Sequence, residues 1–270
     1  MIQLDYESIG RAIEDAAKRH ALSRFRRLAP GDISEKSPGD LLTVADLETE
    51  RALTALLEAA LPGSVAVGEE AVAERPELLG ALQEERPCWL IDPIDGTINF
   101  AAGLPLFATM VALVVKGEVV AAWIYDSVHD VMASGVKGQG VRLSGHPVHL
   151  RPPADLKRHS GCLHLSGYDR DLAATAARNF DTVGPILVLH CAGLEYQAML
   201  ANRLHYSLYH RTNPWDHAAG HFMLQEAGGF AARLDGTAYD VGTIEHDWPL
   251  LCAASADGWS GLKTTLFGLA

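Results

Sequence analysis

The hydrophobic pattern of the N-terminal half predicts two helices followed by a sheet. Apolar residues at helical spacing predict one helix over residues 5–27 and a second over residues 44–61, which ends before Pro62-Gly63. A turn at Lys116-Gly117 lies within a β-rich stretch. Strands and hairpins are therefore predicted at 64–70, 88–92 and 107–134.

The C-terminal half alternates short apolar runs with helical patterns. Strands are predicted at 182–189, 204–209, 228–234 and 248–254. Helices are predicted between them, at 194–202 and 216–228. Such alternation is typical of an α/β layer. Glycine and proline are concentrated from Gly145 to Pro153. We therefore predict an N-terminal α+β unit over residues 1–147 and a C-terminal α/β unit over residues 148–270.

Composition and charge exclude several classes of protein. The 270 residues carry 34 acidic against 22 basic side chains and no long basic run, which argues against a nucleic-acid or membrane-surface partner. No apolar run approaches the roughly 20 residues of a membrane span, and the first residues lack the order of a secretion signal. We expect a cytoplasmic protein with reduced core cysteines at Cys88, Cys162, Cys191 and Cys252.

Four short segments place acidic side chains at predicted strand ends or helix starts: "TVAD" (43–46), "GEE" (68–70), "DPIDGT" (92–97) and "PWDHAAG" (214–220). Each segment alone has an ordinary explanation, such as a helix cap, a solvated turn or a β-turn. Together they are typical of a site at the edge of a sheet. Converging carboxylates repel one another unless a cation lies among them, and hard oxygen ligands favour Mg²⁺ or Mn²⁺.

The "DPIDGT" segment has the most informative spacing. Pro93 fixes a bend that lets Asp92 and Asp95 face one point, with the Ile94 carbonyl as a third oxygen. Gly96 lets the backbone approach a ligand closely, and the amides that follow are suited to a phosphate.

The fourth segment and the cysteine at 191 hold further residues whose roles can be predicted. Asp216 and Gly220 share a helix face, so we expect the acid to project where the backbone leaves room. His217 and His221 have the spacing of paired metal ligands, but we expect both to point away from the oxygen site. Cys191, at a helix start, is predicted to serve in packing because no general base is evident.

Taken in order, "TVAD", "GEE", "WLIDPIDGTINF" and "PWDHAAG" with the later "EAGG" resemble the inositol monophosphatase family, whose superfamily includes fructose-1,6-bisphosphatases. "GVKGQGVRLSG" resembles the glycine-rich β segment of that family, and the likeness runs from about Lys36 to Gly229. The resemblance implies a Mg²⁺-dependent phosphomonoesterase with a layered α-β-α-β-α sandwich. It also implies a homodimer, lithium sensitivity and two or three Mg²⁺ ions per site, with Mn²⁺ as a substitute.

The resemblance also implies roles for individual residues. Glu69, Asp92 and the Ile94 carbonyl match ligands of a first metal, and Asp92, Asp95 and Asp216 match those of a second. Glu69 also faces a more weakly held third ion.

The implied catalytic residues are Asp46 and Thr97, which match the pair that activates the attacking water, together with Glu69. Asp95, Gly96, Thr97 and Asp216 match positions that contact the substrate. Lys36 matches a lysine on a mobile loop of the family.

The substrate is left open by one departure from the family. In the inositol-phosphate enzymes, a glutamate seven residues before the "WD" aspartate accepts hydrogen bonds from ring hydroxyls. Here that position is Tyr209, followed by His210 and Arg211, which are suited to an aromatic or second anionic group. Alternatively, Tyr209 packs at the rim.

Inositol monophosphate, histidinol phosphate, a sugar (bis)phosphate and a 3′-phosphonucleotide all remain candidate substrates. A regulatory protein that retains the fold is the alternative to an enzyme.

Overall fold

The N-terminal helix is shorter than its apolar pattern predicts. The computed structural model describes residues 4–165, 168–242 and 249–270, and the first helix covers Tyr6–His20 rather than residues 5–27. Beyond it the chain turns, and Arg26 takes a left-handed φ of 60° that ends any helical path. Phe25 then packs against Phe100 and Phe107, at ring-centroid distances of 5.7 and 5.0 Å. The apolar positions after His20 thus belong to a separate core cluster.

The α-helices of the described residues are α1 (Tyr6–His20), α2 (Val44–Ala60), α3 (Glu69–Glu74), α4 (Thr97–Ala101), α5 (Arg170–Arg178), α6 (Ala192–Leu200), α7 (Pro214–Glu226) and α8 (Ala256–Thr265). The predicted helices at 44–61, 194–202 and 216–228 are confirmed as α2, α6 and α7. α3, α4, α5 and α8 were not predicted. None of the helices in the described ranges combines the length and the apolar character needed to cross a bilayer.

The strands within the described ranges are β1 (Ile33–Ser37), β2 (Asp40–Thr43), β3 (Val65–Gly68), β4 (Cys88–Asp95), β5 (Ala108–Val115), β6 (Glu118–Asp126), β7 (Val131–Val136), β8 (Gly140–Leu143), β9 (His146–Pro147), β10 (Gly161–Leu163), β11 (Ile186–Leu187), β12 (Tyr206–Tyr209), β13 (Phe230–Arg233) and β14 (Leu250–Ala253). β1 and β2 form a hairpin, β3 to β9 form a seven-stranded sheet in chain order, and the rest form a five-stranded sheet ordered β11-β10-β12-β14-β13.

Most predicted strands are present, with shorter bounds. The hairpin turn at Lys116-Gly117 is confirmed, since both residues have positive φ between β5 and β6. The strand predicted over 182–189 is only two residues long. The strand predicted over 248–254 starts at Trp248, which lies outside the described residues, and β14 begins at Leu250. Strands β1, β2, β9 and β10 were not predicted.

Three layers of helices alternate with the two sheets. α1 and α2 cover one face of the seven-stranded sheet, in a core cluster that includes Ile13, Leu53 and Trp89. α6 and α7 pack in one cluster with strands of both sheets, and α5 and α8 cover the outer face of the five-stranded sheet. The fold is therefore the expected α-β-α-β-α sandwich. The first large sheet ends at Pro147, and the division into two units at 147/148 stays a prediction.

Candidate active site

Two neighbouring parallel strands bring the first two acids together. β3 and β4 are parallel, and Gly68 lies opposite Ile91, so Glu69 and Asp92 follow side by side at one edge of the sheet. Asp216 reaches the same point from the first turn of α7. One carboxylate oxygen from each of Glu69, Asp92 and Asp216 lies within 4.8 Å of the other two.

A β-bulge in β4 orients the "DPID" acids. Asp92 pairs with Met110 and Asp95 with Ala108, so β4 has one more residue than β5 between these pairs. Pro93 is tolerated in a central strand because it lies in this bulge. At Gly96 the φ is 90°, and an added Cβ would lie 2.7 Å from the Leu106 carbonyl oxygen, so only glycine fits.

The start of α6 holds Asp95 in place. The backbone amide of Gly193 donates to Asp95 Oδ2 at 2.5 Å, and the thiol of Cys191 donates to the same oxygen at 3.1 Å. Burial raises the pKa of Asp95 to about 6, although these two donors oppose the shift. The Asp95 side chain is thereby fixed at the site, with Oδ2 accepting hydrogen bonds from the protein.

The acidic cluster fits a divalent cation. Burial raises the pKa of Asp92 well above its ordinary value, and repulsion from Glu69, Asp95 and Asp216 adds to the shift. Asp92 Oδ1 is buried and has no hydrogen-bond partner within the described part of the chain. A buried, unpaired carboxylate oxygen is costly unless a cation or donor meets it. The ligand atoms that this cluster offers to a cation are all hard oxygens, as Mg²⁺ and Mn²⁺ require.

Asp46 and Thr97 lie together beside this cluster. Asp46 is fully buried, and its Oδ2 accepts hydrogen bonds from the Thr43 amide (2.8 Å) and hydroxyl (2.5 Å) at the N-terminus of α2. Its other oxygen, Oδ1, lies 3.3 Å from Thr97 Oγ1. Thr97 Oγ1 is also 2.9 Å from the Ile94 carbonyl oxygen. Burial raises the pKa of Asp46 to about 6, against the opposing effect of Thr43.

Lys36 lies in strand β1, where a loop was expected. Its Nζ is 2.6 Å from Glu69 Oε1 and 3.1 Å from Glu70 Oε1. Burial, followed by repulsion from Glu69, raises the pKa of Glu70 to about 8. Glu50 accepts hydrogen bonds from the amides of Glu70 and Ala71, and so fixes the start of α3.

A cavity of about 570 Å³ opens over these residues and has two chemically different walls. The acidic wall comprises Asp40, Glu69, Asp92, Asp95 and Asp216. The other wall is rich in imidazole and aromatic rings and comprises His164, His190, Tyr209, His210, Arg211 and His217.

Tyr209 is part of the second wall and is only 5% exposed, so it does not pack at the rim. Its ring lies 5.3 Å from the Tyr196 ring and 4.5 Å from the His217 ring. The Tyr209 hydroxyl is buried without a hydrogen-bond partner among the residues that the structure describes. Arg211 lines the same wall and is exposed.

Two interpretations of nearby residues were wrong, and a third was incomplete. His217 does not point away from the site: it lines the cavity, with its ring nitrogens 2.9 Å from the Arg211 carbonyl oxygen and 3.1 Å from the Tyr196 hydroxyl. The space at Gly220 is filled by Tyr196, whose ring would lie 2.0 Å from an added Cβ. Cys191 packs in the core as predicted, and its thiol also donates to Asp95 Oδ2.

Sequence reasoning did not find His164, His190 or Glu195. His164 follows β10, a strand of three residues that carries no readable periodicity. His190 precedes α6 in a segment whose backbone carbonyls accept hydrogen bonds from the Asn99 side chain. A search for polar residues directly after strand ends would have found His164.

Known proteins match this chain over most of its length. The family model described as the inositol monophosphatase family matches residues 3–263. Inositol-1-monophosphatase of Mesorhizobium japonicum is 30% identical over 80% of this chain and 81% of its own. Nus factor SuhB of Escherichia coli is 29% identical over 76% of each. The solved structure of Thermotoga maritima IMPase has a TM-score of 0.79 and 23% identity, and the match covers 96% of both chains. The chain therefore belongs to the inositol monophosphatase family.

Proposed function

We propose that this chain is a Mg²⁺-dependent phosphatase of small phosphate monoesters. The convergence of Glu69, Asp92 and Asp216, with Asp92 Oδ1 buried and unpartnered in the described structure, is the observation that carries this proposal. Membership of the inositol monophosphatase family supports it. A homodimer, lithium inhibition and a cytoplasmic location are further predictions from the family resemblance.

The cations would be held by oxygens of this cluster. Glu69, Asp92 and the Ile94 carbonyl would ligate one ion, and Asp92, Asp95 and Asp216 a second, with Asp92 shared. Bound there, divalent cations polarise the phosphoryl oxygens and acidify a water molecule. Mn²⁺ would serve in place of Mg²⁺ because its ligand preferences are similar.

Asp46 and Thr97 would orient and deprotonate the attacking water. The Thr97 hydroxyl has one proton, which it donates to Asp46 Oδ1 when that carboxylate is ionised. Its lone pairs then accept a hydrogen bond from the water, and the water proton moves to Thr97 Oγ1 as the hydroxyl proton moves to Asp46 Oδ1. A general base is thus available without a covalent nucleophile.

The phosphate would be held at the start of α4. The backbone amides of Gly96 and Thr97 lie at the start of this helix, where amides have no acceptor within the helix and can donate to an anion. Asp95 and Asp216 would contact the substrate through the cations. Tyr209 and Arg211, on the ring-rich wall, would face the alcohol part of the ester.

A second candidate function is the binding of a partner protein. It is favoured by the 29% identity to a relative named as a Nus factor. Every side-chain position of the expected ligand set holds an acid. This favours the phosphatase, because a binding protein has no need of buried, mutually repelling acids.

Phosphate release tests the proposal directly. The panel is inositol 1-phosphate, histidinol phosphate, a sugar phosphate, a 3′-phosphonucleotide and 4-nitrophenyl phosphate, each with Mg²⁺ and with a chelator. We expect hydrolysis of at least one ester with Mg²⁺ and none with the chelator. Hydrolysis that is equal in both conditions, or absent throughout the panel, would contradict the proposal.

A further inference from the structure

A hydrogen-bonded histidine–glutamate pair supports the ring-rich wall of the cavity. His164 Nε2 is 2.7 Å from Glu195 Oε1, and the Ser207 hydroxyl donates to Glu195 Oε2 at 2.6 Å. Glu195 is fully buried, whereas His164 is partly exposed and lines the cavity. Both oxygens of the carboxylate are therefore occupied by the protein, and the imidazole is the part of the pair that a ligand can reach.

The fold places this imidazole beside Tyr209. β10 and β12 are parallel with Leu163 opposite Leu208, so His164 and Tyr209 follow at the same edge of the five-stranded sheet. Their rings are 5.9 Å apart and 20° from coplanar. The His190 ring meets His164 edge-on at 5.6 Å. Three rings of the cavity lining thus adjoin one another.

The charge of Glu195 favours the protonated form of His164. Burial opposes a charge on the ring, but the hydrogen bond and charge of Glu195 outweigh it and raise the pKa of His164. Nδ1 of His164 makes no hydrogen bond within the described residues, and in the protonated ring this nitrogen is a donor.

The composition of this wall selects between classes of alcohol. A neutral polyol needs acceptors as well as donors, yet the acid behind this wall has no free oxygen. Arg211, His190 and His210 add further donors beside His164. A negatively charged group is the complement of such a surface, and hydrogen bonds between charged partners are about twice as strong as neutral ones.

We propose that the alcohol part of the substrate carries a second anionic group, a carboxylate or a phosphate, which His164 binds and Glu195 positions. This inference rests on the proposed phosphatase function and names the substrate class for that same site. The phosphate to be hydrolysed lies over the acidic wall and the second anion over the ring-rich wall.

Two pairs of esters distinguish the effect of the second charge on kcat/KM from the effect of the size of the alcohol. Glycerol 2-phosphate and 2-phosphoglycerate differ only in that one hydroxymethyl group becomes a carboxylate. The monophosphate and bisphosphate of propane-1,3-diol form the phosphate pair. We expect kcat/KM to be at least about tenfold higher for the anionic member of one or both pairs, the effect of one charge-assisted hydrogen bond.

Substitution of the imidazole tests its role. His164→Asn should reduce this preference by about tenfold. His146→Asn, at an exposed position of β9, should leave it at the wild-type value. Glu195→Gln keeps the shape of the side chain and removes its charge. It should raise KM for the anionic member with little change in kcat, and leave KM for the neutral member near the wild-type value, whereas a purely structural defect would affect both members.

The outcomes distinguish the two proposals. If neither pair nor the wider panel is hydrolysed with Mg²⁺, the phosphatase function fails, and the substrate class fails with it. If esters are hydrolysed but the neutral members are preferred, or if His164→Asn leaves the preference unchanged, only the assignment of the second anion is overturned.

Discussion

Lys36 Nζ lies 2.6 Å from Oε1 of Glu69 and 3.1 Å from Oε1 of Glu70, so the ammonium group is an internal cation for the acidic cluster. The Lys36 side chain is only 13% exposed, and solvent screens these pairs little. A divalent cation bound through Glu69 lies close to this positive charge. Lysine and metal therefore compete for the same carboxylate.

Replacement of this lysine should tighten metal binding. Lys36→Met removes the competing charge, and we expect the Kd for Mg²⁺, measured by calorimetry, to fall several-fold. Lys137→Met removes an exposed lysine paired to Glu118 at 2.7 Å and should leave the Kd near the wild-type value. A weaker affinity in Lys36→Met than in wild type would show that the lysine supports the ion instead.

The stability of the metal-free protein should fall as the pH rises. Burial raises the pKa of Asp46 and Asp95 to about 6 and that of Glu70 to about 8. The folded state therefore holds protons that the unfolded state releases between about pH 4 and pH 8, and the free energy of unfolding decreases across that window.

Added Mg²⁺ should reverse this trend, because it binds ionised carboxylates. Thermal unfolding in chelator and in saturating Mg²⁺, at about pH 5 and about pH 8, measures the effect. The gain in Tm from Mg²⁺ should be larger at the higher pH. An equal gain at both pH values would contradict the assignment of these acids to the cation site.

Thr97 should contribute to the chemical step rather than to substrate binding. Thr97→Ala removes the hydroxyl between Ile94 and Asp46, and we expect kcat to fall by about 100-fold with little change in KM. Thr97→Ser keeps the hydroxyl and should retain kcat within a few-fold of wild type. Equal kcat values in the two variants would exclude the hydroxyl from proton transfer.

Gly220 should be required for packing between α6 and α7. A Cβ at this position would lie 2.0 Å from Tyr196 Cδ2, so Gly220→Ala must displace a fully buried ring that also contacts Tyr209. We expect a loss of about 1–3 kcal/mol in the free energy of unfolding, measured with denaturant. Gly80→Ala is the control, since an added Cβ there meets no atom within 4 Å. Equal stabilities would contradict the packing role.

Local sequence features predicted the acidic half of the site well. The β-bulge at "DPID" and the left-handed Gly96 depend on proline and glycine geometry within six residues, which can be read along the chain. The capping pair of Thr43 and Asp46 is local as well. The structure brings Glu69, Asp92 and Asp216 together as the four motifs predicted, although their roles as ligands remain proposals.

The ring-rich wall could not be read from the sequence in the same way. The contact of His164 with Glu195 depends on a three-residue strand, on the parallel pairing of β10 with β12, and on the position of α6. None of these leaves a periodic pattern. The orientation of His217 was mistaken because Tyr196, on a different helix, holds its ring in the wall.

Phosphate release by Asp92→Asn, titrated with Mg²⁺, tests the central claim most directly. Asp92 is the carboxylate shared by both proposed ions, so the substitution should lower kcat/KM by more than about 100-fold at every Mg²⁺ concentration. The variant should remain folded, and its metal-free form should be at least as stable as wild type, because a repelling charge is lost. Asp257→Asn, at the exposed start of α8, should retain wild-type activity. Near-normal turnover by Asp92→Asn at ordinary Mg²⁺ concentrations would contradict the account.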